Sequence, residues 1–446
     1  MRIVDTPAVP APSTRAGLDL SVRLRSAGDG RPTRALIVTS IYPWAGNPNE
    51  GIFVHRQVRH LVAAGIDCRV LLFRGAVRGL PACVAGASRL RYHPRWMTWP
   101  DVLDGVPVDL VFHPRSLRPG DLVPAAVEAL SRRLDQRGDA SDVDVILGHW
   151  LWPGGSVALR LGERLRRPVA ALARGSELHA WLDRHTHCRR HVVDVLERAD
   201  LLLANCDGLR RRAAALTPRC ERSREVVYNG CDVRQFHPLG DARAARRAVG
   251  LPADRRFVLF CGGVQRSKGV FELADAWERV AASLDGWELL AVGPLTETAA
   301  ARRLRDAARR TGGRVRLVGP VDADRVTAYM QAADALVHPT HAEGLANATL
   351  EAMACGLPVI SSAVDGQPEL VEHGETGWLI APHDAAALAH ALRAMAADPV
   401  ELIRRGANAR RRAVAHFDAR RHASRLAALL ADLAERPTRR TANASR

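Results

Sequence analysis

Residues 338–362 read HPTHAEGLANATLEAMACGLPVISS. The apolar run DALVHP (334–339) leads into this stretch and LPVISS (357–362) closes it. Between them lie a polar, glycine-bearing loop and a segment with Leu350, Met353 and Ala354 on one helical side. Strand, loop, helix, strand is the repeating unit of a parallel α/β sheet. Glu343 and Glu351 enclose seven residues and flank the helix start. Ligands of open α/β sheets sit at the carboxyl ends of the strands, so both carboxylates are placed to face one crevice, where they suit the hydroxyl pairs of a ribose or a hexose. Two ordinary helix acids, one favoured by the helix dipole, give the same spacing.

Working outward, the pattern repeats. RFVLFCG (256–262), WELLAVG (287–293) and VRLVGP (315–320) are strands of the same series, separated by helices such as VFELADAWERVAASL and DRVTAYMQAA. An earlier series comprises RALIVTS (34–40), CRVLLF (68–73), VDVILGH (143–149), PVAALA (168–173) and ADLLLAN (199–205). The helix VHRQVRHLVAAG among them ends on Gly65 as a C-terminal cap. A chain of 446 residues is too long for one core and implies two domains of about 200 residues each. The expected organisation is a disordered extension (1–33), an N-terminal domain (34–230), a polar linker (231–255), a C-terminal domain (256–415), a helix packing back on the N-terminal domain (416–434) and a disordered tail (435–446).

Composition narrows the class. The net charge of +16 admits nucleic acid, an anionic membrane face or phosphate-bearing substrates as partners. No apolar run reaches the roughly 20 residues of a membrane-spanning helix, and MRIVDTPAVPAPSTRAGLDL lacks the apolar block of a signal peptide. Eight cysteines, scattered without a CxxC pair, suit reduced thiols. A cytoplasmic protein is expected, with peripheral contact at the inner membrane face admitted by the charge.

Of the 64 basic residues, Lys268 alone is a lysine. It lies in CGGVQRSKGV (261–270), behind a strand and ahead of a helix. Such a junction presents free backbone N–H groups and a positive dipole end to an anion. Gly262 and Gly263 allow close approach, and a compact ammonium meets a leaving phosphate as a point charge. A tight structural corner explains the glycines equally well. The loop fits neither GxGxxG nor GxxxxGK[ST]. IYPWAGNPNEGIFVHRQ, with Gly46 and Gly51, is a second such junction, or a polar loop with capping glycines. HWLWPGG puts His149 at a strand end beside two tryptophans, as a base or a structural histidine. His185, His187, Cys188 and His191 carry zinc-like spacing without a supporting carboxylate. RYHPRWMTWP is basic and aromatic, fit for a headgroup, an acceptor or a half-buried loop.

Together these stretches resemble the retaining glycosyltransferases of family 4. EGLANATLE matches the family's E-x7-E element and YNGCDVRQFHP its NGVD…F.P turn, while IYPWAGNPNEGIFVHRQVRHLVAAG resembles the opening of members that build cell-surface polysaccharides. The resemblance implies the GT-B fold: α/β, two Rossmann-like domains with parallel sheets facing across a cleft. It implies that Lys268 binds the donor diphosphate, that Glu343 holds the donor sugar with the backbone of Gly344, Leu345 and Ala346, and that Glu351 binds the ribose. Gly51 (or Gly46), with Gly262 and Gly263, would face the phosphates, and Val318 and Gly319 the nucleobase. Two departures stand out. The family's Arg five residues before the lysine is Gly263 here, leaving Arg266 as the candidate second cation. The family's histidine before GxD is Arg174, a candidate with His149 for the acceptor or sugar.

The expected reaction moves a hexose from a nucleoside-diphosphate sugar to a glycan or lipid-linked acceptor, in bacterial polysaccharide or glycoconjugate biosynthesis. No metal and no cofactor are expected, because fixed cations and helix ends stabilise the leaving diphosphate and no DxD-like pair stands in a strand-end loop. Nucleic acid is not an expected partner. The rivals are a nucleotide-sugar epimerase or hydrolase on the same fold, betrayed by free-sugar release without acceptor, and a non-catalytic basic protein that binds glycans or nucleic acid. Salt-sensitive binding to unrelated DNA would mark the last.

Overall fold

The computed structural model describes residues 31–44, 46–76, 101–114, 122–138, 142–179, 182, 186–217 and 224–436. Of the disordered extension expected at 1–33 and tail expected at 435–446, residues 1–30 and 437–446 lie outside the described residues, as does the segment RYHPRWMTWP, whereas Arg31 pairs with Asp144 and Glu435 ends the last helix. The chain forms two compact units. Gly230–Asp418 is one; the described residues up to 229, joined by those from 419 onward, form the other.

The first unit is built on an eight-stranded sheet in the order β3-β4-β2-β1-β5-β6-β7-β8. Its strands are β1 (Arg34–Thr39), β2 (Asp67–Ala76), β3 (Val102–Leu103), β4 (Val106–Pro114), β5 (Val145–His149), β6 (Val169–Ala173), β7 (Leu201–Ala204) and β8 (Arg224–Val226). Every pair is parallel except β3 with β4. Side chains alternate between the faces of a strand, and here both faces are covered. Ala35 and Ile37 of β1 join a core with helices Ile52–Ala63 and Ala419–Glu435; Leu36 and Val38 join another with helices Leu122–Arg137 and Ser156–Leu165. Helix Ile52–Ala63 ends as its sequence dictates. Gly65 takes φ 89°, and the N–H groups of Gly65 and Ile66 return to the carbonyls of Val62 (3.0 Å) and Leu61 (3.1 Å), satisfying carbonyls left open by the last turn.

Strand β4, second from the sheet edge, escapes a hydropathy reading because Asp109 sits in its middle. That carboxylate is buried and is held by Arg69 (2.6 Å), Arg133 (3.1 Å) and Arg137 (2.9 Å). Pairing offsets the cost of burying its charge.

The second unit carries a six-stranded, wholly parallel sheet in the order β11-β10-β9-β12-β13-β14. The strands are β9 (Arg256–Cys261), β10 (Trp287–Val292), β11 (Val315–Gly319), β12 (Ala335–His338), β13 (Val359–Ser362) and β14 (Gly377–Ile380). One face is packed by Leu273 and Trp277 of helix Val270–Val280, Leu304 of helix Thr298–Arg310 and Leu388 of helix Ala385–Ala397. The segment 231–255 is not a linker but part of this unit. Asp241 caps helix Ala242–Ala248 through the N–H groups of Arg243 and Ala244. Arg246 is buried; its Nη2 donates to both oxygens of Asp334 (2.9 and 2.8 Å) and its Nε to the Ala332 carbonyl (3.0 Å). A guanidinium so anchored removes the freedom a linker needs. No described helix is long and apolar enough to cross a membrane.

Candidate active site

Three strand ends of the second sheet build the site. The chain leaves β9 at Cys261, turns through Gly262 at φ 151°, makes a short 3-10 turn (Arg266–Lys268) and starts helix Val270–Val280 after Gly269 at φ 70°. A Cβ on Gly269 would lie 1.8 Å from the Pro339 carbonyl oxygen. Only glycine therefore lets this loop approach the one that follows β12. The contact is latched further: the Thr340 hydroxyl (3.2 Å) and the His341 N–H (3.0 Å) both donate to the Ser267 carbonyl.

This approach brings Lys268 and Glu343 together, the ammonium donating to the Glu343 Oε2. The same oxygen lies 3.5 Å from Nε2 of His338, buried at the end of β12. Burial by itself pushes the Glu343 carboxyl up, but the Lys268 charge and the His338 contact outweigh it and hold the group at about 2. Burial lowers His338 in turn, aided by the Lys268 charge, so the ring is neutral near neutral pH. The site is thus a fixed ammonium–carboxylate pair lined by a neutral imidazole. The Glu343 N–H donates to Asp365 (3.4 Å) and the Gly366 N–H to the Gly344 carbonyl (3.1 Å), tying the loop down behind the pair.

Leu345 and Ala346 are buried, and Ala346 caps helix Asn347–Ala354 without a side-chain oxygen. A helix begun this way leaves its first N–H groups to a ligand. Gln367, wholly buried, accepts from Thr349 and Ser361 (3.1 Å each) and fixes that helix to β13. Glu351, on the same helix, reaches the end of β9 electrostatically: the Cys261 thiol is pushed up to about 12 by burial and then by the Glu351 charge. Gly263 sits beside Thr296, and Val318 and Gly319 close β11. Arg266 stacks on the helix that follows. Its guanidinium lies 3.7 Å from the ring centroid of Phe271, and its N–H donates to Glu297 (2.6 Å).

The first unit's candidates form a separate arrangement. Gly51, at φ 65°, starts helix Ile52–Ala63 where a Cβ would meet the Ile41 carbonyl at 2.9 Å. His149 is fully buried at the end of β5, and its Nδ1 accepts from Arg174 Nε (3.1 Å) and Nη2 (2.9 Å). That leaves the ring proton on Nε2, which is buried without a partner among the described residues. Burial, then the Arg174 charge, drives His149 well below its ordinary value. Arg174 also donates to Asn229 (2.9 Å) and Gln57 (2.6 Å) and stacks near Phe53. Burial pulls it down to about 9 against the opposing Glu177 charge. Each of its guanidinium nitrogens is engaged inside the chain. Arg174, expected with His149 as an acceptor or sugar contact, here also positions the His149 ring. His185 and the side chain of His187 lie outside the described residues.

Two parallel-sheet α/β units define the class: the fold is that of GT-B glycosyltransferases. The crystal structure of the Anabaena protein HepE in complex with UDP-glucose superposes at TM-score 0.69 with 21% identity, covering 90% of this chain and 99% of that one. Sucrose-phosphate synthase from Thermosynechococcus elongatus gives TM-score 0.70 with 24% identity over 93% and 100%. Family profiles described as "Glycosyltransferase Family 4" and "Glycosyl transferases group 1" match residues 51–235 and 255–398. The chain belongs to glycosyltransferase family 4. A curated relative, the D-inositol 3-phosphate glycosyltransferase of Mycolicibacterium paratuberculosis, is 34% identical over 274 residues. That match spans 57% of this chain and 59% of the relative.

Proposed function

We propose that the protein is a retaining glycosyltransferase that moves a hexose from a nucleoside-diphosphate sugar to a glycan or lipid-linked acceptor in polysaccharide or glycoconjugate assembly. The observation that carries the reading is the Lys268–Glu343 pair at the strand ends of the second sheet. Lys268 exchanges its carboxylate partner for the donor diphosphate. Glu343, released from the ammonium but still ionised, accepts from a sugar hydroxyl. As the bond from the anomeric carbon to the phosphate oxygen lengthens, charge gathers on that oxygen, where the ammonium and the N–H groups ahead of helix Asn347–Ala354 stabilise it. The departing phosphate takes the acceptor's proton on the same face, so configuration is retained without a protein nucleophile. Glu351 accepts from the ribose hydroxyls. HepE, with the same fold, holds UDP-glucose, which makes UDP-sugars the first donors to try.

The test is a thermal-shift series with UDP-, GDP- and ADP-sugars on wild type and Lys268→Met, followed by transfer assays. One sugar nucleotide raises the wild-type midpoint, as a tight ligand must, and the variant does not respond. A chain that responds to none of these donors, or a variant that transfers at the wild-type rate, refutes the proposal.

A further inference from the structure

One cluster in the second unit has no part in this chemistry. Glu272 stands in the first turn of helix Val270–Val280, His341 in the loop after β12 and His383 in the loop after β14. His341 Nε2 is 3.1 Å and His383 Nδ1 3.6 Å from one and the same oxygen of Glu272. The three ligand atoms lie within 4.8 Å of one another. The imidazole centroids are 3.7 Å apart. The Glu272 and His341 side chains are only 19% and 15% exposed, while that of His383 is open at 61%. The second Glu272 oxygen is buried and has no hydrogen-bond partner among the described residues.

Two readings compete. As a plain ion-pair cluster, one carboxylate oxygen would serve two imidazoles at once while its twin stays buried and unserved. Protonating both rings would also set two like charges face to face. A divalent cation removes both difficulties, since neutral imidazoles then offer lone pairs and the second carboxylate oxygen gains a counter-charge. Spacing agrees: ligand atoms about 2.0–2.1 Å from a tetrahedral ion stand roughly 3.3 Å apart, between the two measured separations. Two imidazoles and one carboxylate select a transition ion such as zinc over magnesium or calcium, which prefer all-oxygen sites.

We propose that Glu272, His341 and His383 form a His2Glu site for a divalent transition-metal ion, with its remaining position open to water on the His383 side. The ion fastens the loops after β12 and β14 to helix Val270–Val280. His341 is two residues from Glu343, so the ion braces the loop that presents that carboxylate. It takes no part in the transfer step, and the proposal stands whether or not the chain transfers sugar.

Full-length protein without an affinity tag is stripped with chelator and titrated with Co2+, then with Zn2+. Expected are one equivalent of Co2+ showing the visible absorption of a low-coordinate site, its displacement by Zn2+, and a rise in thermal midpoint of about 5 °C at roughly 100-fold excess over the dissociation constant. His383→Ala, at an exposed position, weakens Co2+ binding at least about tenfold, a typical cost of losing one ligand interaction, with an unchanged midpoint in chelator. Glu343→Gln binds Co2+ as wild type does. Absence of the absorption band, or equal Co2+ uptake by wild type and the His341→Ala/His383→Ala double variant, overturns the site.

Discussion

Replacing Lys268 by methionine keeps the length of the side chain and removes its charge, leaving Glu343 beside His338 alone. A carboxyl held at about 2 rather than at its usual 4.5 prefers its charged form by roughly 3 kcal/mol. The Glu343 side chain is a fifth exposed, and water will take back part of that, so a loss of about 2 kcal/mol at pH 7 is expected. The dependence on pH differs between the two proteins. In wild type the folded carboxyl lies below its unfolded value, so its contribution is complete above about pH 4.5 and fades as pH falls toward 2. In Lys268→Met the Lys268 charge no longer opposes burial, so the carboxyl titrates higher than in wild type and the variant loses less on going from pH 7 to pH 5 the nearer its carboxyl comes to being protonated. The assay is urea unfolding of wild type, Lys268→Met, Glu343→Gln and the double variant at pH 7 and pH 5. The double variant should be nearer to wild type than Lys268→Met is, because it no longer buries a lone charge. Equal losses at both pH values, or strictly additive single effects, would refute the reasoning.

Two further outcomes follow from local geometry. Gly269→Ala combines a left-handed backbone with a Cβ driven into the Pro339 carbonyl and should lower stability by at least about 2 kcal/mol; urea or thermal unfolding measures it, and a smaller loss means the two loops are not latched as described. Arg174→Gln removes the charge that, after burial, holds His149 down, so the imidazole should titrate at higher pH than in wild type while staying below its ordinary value, as read by NMR of the ring nitrogens; an unmoved midpoint refutes the pairing.

How much was legible depends on where each residue's partners are. Strands such as β1 and β5 announce themselves because every interior position is apolar and both faces are covered, which a continuous run of Ala, Leu, Ile and Val encodes locally. β4 does not, since Asp109 is tolerated only through arginines from β2 and helix Leu122–Arg137, which no local pattern records. The segment 231–255 reads as polar for the same reason: the partner that folds it, Asp334, is far along the chain. Lys268 and Glu343 stood out by rarity and by loop context, and the structure joins them in one ion pair. His338, only five residues before Glu343, was inside the quoted stretch yet carried no signal until β12 placed its ring against the carboxylate. Arg174 was singled out by its place in the family's motif, while its companions Gln57, His149 and Asn229 come from three distant segments and leave no local mark. The metal cluster is hidden in the same way, and regular histidine spacing drew attention to 185–191 instead.

The solitary lysine also makes the site its own reporter. Reductive methylation with isotopically labelled formaldehyde would mark one side-chain amine, that of Lys268, besides the chain's α-amino group. Its resonance would sense the neighbouring carboxylate directly, and would shift on the arrival of a diphosphate without any residue having been changed. A fluorophore aimed at amines would likewise settle at this loop and at the α-amino group, and protection of the loop by a sugar nucleotide would map occupancy. The chain thus brings a built-in spectroscopic address to the place where its chemistry is expected.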